Sequence, residues 1–141
     1  MRFMILVKAT AESEAGVMPE ESLIGAMAEY HDQLAKAGVL LDASGLQPTS
    51  KGWRIRYSGD GRRAVTDGPF TESKELVAGY TVIQVRSRQE ALEWSRRFPA
   101  PHGEGVAAEI EVRQMFELED FDPNAAVEKF RAIGVGTQPV Q

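Results

Sequence analysis

Trp53-Arg54-Ile55-Arg56-Tyr57-Ser58-Gly59-Asp60-Gly61-Arg62-Arg63-Ala64-Val65-Thr66 is the stretch on which the fold class turns. Trp53, Ile55 and Tyr57 alternate with Arg54 and Arg56, the period of two of a half-exposed strand. Ser58-Gly59-Asp60-Gly61 is a strong hairpin turn, so residues 62–66 return as a second strand. A hairpin here breaks any steady alternation of single strands with helices and points to an antiparallel sheet.

On the N-terminal side, Val39-Leu40-Leu41-Asp42-Ala43 reads as a strand closed by Ser44-Gly45 and Pro48. Before it, Leu23, Met27, Tyr30, Leu34 and Ala37 recur at helical spacing as one apolar stripe. Pro19 suits a first helical position, Glu20 and Glu21 favour the positive end of a helix dipole, and Gly38 is a natural stop. The pattern predicts a helix over 19–37, preceded by a strand over 2–8 and a polar loop over 10–16. On the C-terminal side, 67–77 reads as irregular with one helical turn and 78–85 as a strand. Ser87-Arg88-Gln89-Glu90 is a capping box that opens a short helix ended by Pro99 and Pro101. Residues 106–116 alternate again. Asp122-Pro123 opens a last helix with Ala126, Val127 and Phe130 as its apolar face, and 134–141 reads as a loose tail.

This order predicts an α+β fold: a ferredoxin-like split β-α-β arrangement with an antiparallel sheet, helices on one face and an inserted β-hairpin. Apolar residues stand on both parities of the strands, as in Ile5 and Leu6 or Val82 and Ile83. The second sheet face therefore needs a cover as well, and a homodimer packed sheet to sheet would supply it.

The 141 residues fit one domain, and 43% apolar composition is enough for a core without crosslinks. Cysteine is absent, which excludes disulfides, thiolate catalysis and cysteine metal sites. His31 and His102 are the two histidines, too few for a three-histidine zinc site; no metal and no cofactor is expected. A net charge of −5 argues against a nucleic-acid partner. The apolar run near Met1 is too short for a signal core, and no window approaches the roughly 18 apolar residues of a membrane span. A cytoplasmic protein with no membrane partner is expected.

Charge is unevenly spread. Residues 51–63 hold five basic side chains and one acidic, net +4; residues 104–122 hold seven acidic and one basic, net −6. Facing a pocket, Arg54 and Arg56 would hold a carboxylate or phosphate. Facing solvent, they would resist edge pairing. A third reading has the basic segment meet the acidic one, within a chain or across a dimer.

Asp67-Gly68-Pro69-Phe70-Thr71-Glu72-Ser73-Lys74-Glu75 resembles the signature of the YCII-related family, in its DGPF branch. Glu14-Ala15-Gly16-Val17-Met18-Pro19, Gly45-Leu46-Gln47-Pro48, Ala78-Gly79-Tyr80 and Glu109-Ile110-Glu111-Val112-Arg113 match the same branch in order. The resemblance covers residues 1 to about 121, leaving 122–141 as a C-terminal helix and tail outside it. It implies a dimeric α+β barrel of the ferredoxin-like kind. Relatives include a chloromuconolactone dehalogenase, which implies acid–base or elimination chemistry on a small-molecule ligand. DGPF members accompany, or are fused to, extracytoplasmic sigma factors, which implies a regulatory role with a sigma factor as partner.

Asp67 and His31 are the candidate catalytic pair. His31 would act as general base in a pocket between the long helix and the sheet, and Asp67 would orient it. The competing reading makes Asp67 a turn residue that binds nearby backbone amides, and His31 a packed residue at the border of the helix stripe. Gly68, Pro69, Phe70, Glu72, Lys74, Arg54 and Arg56 are the candidate pocket residues. Lys74 would hold an anionic group, Glu72 or Glu75 would serve as acid or base, and Phe70 would anchor the loop. His102 reads as a solvated loop residue.

Overall fold

The computed structural model describes residues 1–139. Its regular elements are β1 (Arg2–Lys8), α1 (Ala11–Glu14), α2 (Glu21–Lys36), β2 (Leu40–Gly45), β3 (Trp53–Tyr57), β4 (Arg63–Asp67), β5 (Val77–Gln84), α3 (Arg88–Arg96), β6 (Ile110–Gln114) and α4 (Ala125–Ala132). Strands β2, β5, β1 and β6 lie side by side in that order, with every pairing antiparallel. Two β-α-β units, β1-α2-β2 and β5-α3-β6, thus interleave so that β1 and β5 are central. That is the ferredoxin-like order. Strands β3 and β4 pair only with each other, as the inserted hairpin.

The core lies between one sheet face and two helices. Phe3 and Ile5 of β1 sit beside Ile83 of β5, with Val85 just beyond its end, and all four are buried. Tyr30 and Leu34 of α2 and Ala91 of α3 close over them. The predicted stripe is the face that packs: Leu23 and Met27 are half-buried and Leu34 fully buried, whereas Ala37 is exposed. Gly38 ends α2 at φ +74°, a left-handed conformation that a Cβ would strain. There the Gly38 N–H donates to the Ala35 carbonyl and the Val39 N–H to the Leu34 carbonyl at 3.1 Å, a Schellman closure.

Several local expectations are corrected. Helix α2 starts at Glu21, leaving Pro19 ahead of it. Residues 10–16 are not a plain loop, because Thr10 and Ser13 cap each other reciprocally and nucleate α1. Strand β6 spans only Ile110–Gln114, a stretch shorter than the alternation. At α3 the Ser87 hydroxyl accepts from the Glu90 N–H, but the Glu90 carboxylate takes the Arg86 N–H, so only half of the capping box forms. The tail is not loose through residue 139: the Leu118 N–H donates to the Gly136 carbonyl at 2.8 Å, and the N-terminal ammonium donates to Gln138 Oε1 at 2.6 Å. Residues 140–141 of that predicted tail lie outside the described residues. Among the described residues, no helix is long and apolar enough to cross a membrane.

Candidate functional site

The signature loop is held from three sides. Beyond β4, the Gly68 N–H donates to the Gly52 carbonyl at 3.0 Å. A Cβ on Gly68 would stand 1.9 Å from the Thr49 carbonyl oxygen and 2.7 Å from its carbon, so only glycine lets the two backbones approach. The Gly68–Pro69 peptide is cis. The Phe70 N–H donates to Thr49 Oγ1 at 3.0 Å, and that hydroxyl in turn donates to the Glu14 carboxylate. Glu14 also accepts the Thr49 N–H at 3.1 Å. A helix turn, a 3-10 turn and the signature loop therefore meet at Thr49. The Phe70 ring lies under the Arg54 guanidinium at 3.7 Å, and Arg54 reaches Glu72 at 3.7 Å. The Arg54 side chain remains 45% exposed, so this ion pair is worth little by itself, and the stacking fixes its position.

Asp67, first residue of the signature, forms neither of its expected contacts. It pairs across the hairpin with Trp53, is exposed, and makes no side-chain hydrogen bond or ion pair among the described residues. The turn role assigned to it is carried instead by the backbone of Gly68 and by Thr49. Lys74 and Arg56 are also exposed, with no carboxylate partner among the described residues. Arg54, Phe70 and Glu72 are brought together; Arg56 and Lys74 do not join their contacts.

His31 lies elsewhere, between α2 and the sheet. Its Nδ1–H donates to the Met27 carbonyl at 2.7 Å, and its Nε2 meets Thr81 Oγ1 on β5 at 2.8 Å. A carbonyl only accepts, so Nδ1 carries a proton; Nε2 accepts from Thr81 in the neutral ring and donates in the cation. Thr81 is 2% exposed, which puts this bond inside the core. Tyr30 and Phe98 pack edge-on against the ring, with centroids 5.5 and 6.2 Å away. The Tyr30 hydroxyl donates to the Trp94 carbonyl at 2.7 Å. Burial pushes the Tyr30 phenol up to about 12, against the opposing charge of Arg97. Both His31 nitrogens are thus engaged, and neither by Asp67.

Three contacts escaped the sequence reading. Glu14 and Thr49 are joined across 35 positions, and no periodicity marks such a pair. Tyr80 donates to Asp42 at 2.9 Å across β5 and β2 on the open sheet face, and this hydrogen bond raises the phenol's pKa. His102 is corrected from a solvated residue to a half-buried one whose Nε2–H donates to the Lys8 carbonyl at 2.8 Å. Among the described residues, no three His, Asp or Glu side chains gather into a set that could hold a metal ion.

These features define a ferredoxin-like α+β protein whose signature loop roots an inserted hairpin. A profile of the YCII-related domain matches residues 1–116, and the chain belongs to the YCII-related family. Over 77 residues it is 32% identical to an uncharacterised protein of Rhizobium meliloti strain 1021, a match covering 55% of this chain and 61% of that protein. Among solved structures it is similar to 5-chloro-2-hydroxyhydroquinone dehydrochlorinase from Burkholderia phenoliruptrix AC1100 in complex with 2,5-dihydroxybenzoquinone. That likeness has a TM-score of 0.45 at 14% identity and covers 86% of this chain and 100% of that one.

Proposed function

We propose that this protein is a non-catalytic, dimeric binding module of the DGPF branch, in which the Asp67-Gly68-Pro69-Phe70 signature positions the arginine-bearing hairpin. One observation carries the reading: both ring nitrogens of His31 are spent on the Met27 carbonyl and the Thr81 hydroxyl. A general base needs its lone pair within reach of a substrate proton, and the Nε2 lone pair of the neutral ring is turned to the hydroxyl of Thr81, a residue only 2% exposed. Neither Asp67 nor any other carboxylate hydrogen-bonds the His31 ring among the described residues. Arg54, fixed on Phe70 with its side chain partly open to solvent and Glu72 at 3.7 Å, suits an anionic group on the bound partner that competes with that carboxylate. The sheet face away from the helices, with Met4, Leu6 and Tyr80 half-buried on it, is where two subunits would pack. The sigma-factor association implied by the DGPF resemblance supplies the first partner class to test, in a cytoplasmic setting.

The test is an NMR titration of the histidine ring protons, assigned with His102→Gln and repeated in Asp67→Asn. The expected result is one His31 midpoint common to both proteins. A His31 midpoint that moves by about one unit in Asp67→Asn overturns this reading and restores Asp67 and His31 as an acid–base pair acting on a small substrate.

A further inference from the structure

Two apolar surfaces of this chain are bare in the single chain. Cross-strand register puts Trp53, Ile55, Tyr57 and Val65 on one face of the β3–β4 hairpin, with Arg63 beside Tyr57 at one end and Asp67 beside Trp53 at the other. Trp53 is 63% exposed and Tyr57 and Val65 65% each. An isolated two-stranded hairpin is marginal in water, so a face of this composition calls for a cover. The second surface is a groove of about 360 Å³ formed after β6 by the segment that leads into α4 and by the residues following α4. Phe116, Leu118, Phe121, Val127, Phe130 and Val135 line it, with Asp122 at its rim. Phe116 is 71% exposed, and Phe121 and Phe130 are each 49% exposed.

We propose that the hairpin face of one copy docks in the C-terminal groove of a second copy. Both surfaces are open within one chain, so they do not cover each other there. Their charges are opposite: the hairpin segment 51–63 carries +4, and segment 104–122, which leads into the groove, carries −6. One unmatched charge of each sign lies at the contact. Arg63 stacks on Tyr57 at 4.8 Å and has no carboxylate partner among the described residues, and Asp122 has no cationic one there. An aromatic face flanked by arginine fits an aromatic groove flanked by carboxylate. The contact joins two different patches, so two copies related by a twofold axis make it twice, and any other arrangement propagates it. It is separate from sheet-to-sheet packing and stands without it.

Mixing tests it. Sedimentation velocity over a concentration series would compare the wild type, Trp53→Ser/Tyr57→Ser, Phe121→Ser and an equimolar mixture of the two variants. Circular-dichroism melting would establish that each is folded, with Ile55→Thr replacing the double variant if that fails to fold. Each variant alone is expected to self-associate about tenfold more weakly or worse, since each loses an aromatic anchor. The mixture regains assembly, because one component keeps an intact groove and the other an intact hairpin. Raising salt from about 0.05 to about 0.5 M weakens it. The proposal is overturned if wild type does not assemble, if either variant assembles like wild type, or if mixing restores nothing. Leu6→Arg, on the open sheet face, breaks only the sheet-to-sheet dimer and leaves mixing rescue intact. The failure of the two readings is therefore told apart.

Discussion

Strand β1 and strand β3 are both rich in branched and aromatic residues, β1 as the unbroken apolar run Phe3–Val7 and β3 as an alternation with arginine, and they end in opposite surroundings. In β1, Phe3 and Ile5 are buried beneath α2 and α3. In β3, every residue is exposed, Trp53 included. Part of the difference lies in the strands, and the rest in what each chain segment is tied to. The four-stranded sheet is closed by helices that its own connections carry across one face. The hairpin is tied only at its root, where Gly68, Phe70, Thr49 and Glu14 meet. Alternation therefore announces a strand, and a cover has to come from elsewhere in the fold or from another molecule.

The largest test of this contrast removes side chains from each region. Leu34→Ala, at a fully buried position, is expected to cost about 3 kcal/mol in denaturant unfolding, and Ile55→Thr on the hairpin to stay within about 0.5 kcal/mol in dilute protein. A hairpin cost as large as the core cost would mean that the hairpin face is covered within the chain. Second, Gly68→Ala should lower stability by up to about 3 kcal/mol, because a backbone carbonyl occupies the space. Asp67→Ala beside it is expected to change unfolding by under about 0.5 kcal/mol, since its carboxylate has no partner there. The reverse ranking would return the signature's weight to the carboxylate.

A third test is pH-dependent and belongs to the core. Burial pushes the Tyr30 phenol up to about 12 in the folded protein, above the ordinary phenol value of 10.0. A raised pKa means that the neutral phenol is favoured by folding. That stability is complete below pH 10 and is lost as pH rises through about 12, on the order of 2 kcal/mol in all. Melting followed between pH 9 and 12 should show a shallower decline in Tyr30→Phe than in wild type. Equal slopes would place Tyr30 in water rather than against Trp94.

The sequence alone determined the strands, the main helices and their order, because hydrophobic period, caps and turn residues act over a few neighbouring positions. It also marked the hairpin as an insertion and the Asp67–Glu75 stretch as a signature. Only the tertiary structure decided what those residues do. His31 went to Thr81, fifty positions away, and not to Asp67. Gly68 proved necessary for its closeness to Thr49, and Glu14 was drawn into the same knot. The tail was pinned by Gly136 and Gln138 rather than left free. Each of these is a pairing between distant segments, set by how the sheet brings loops together, and no local periodicity encodes which loop another will meet.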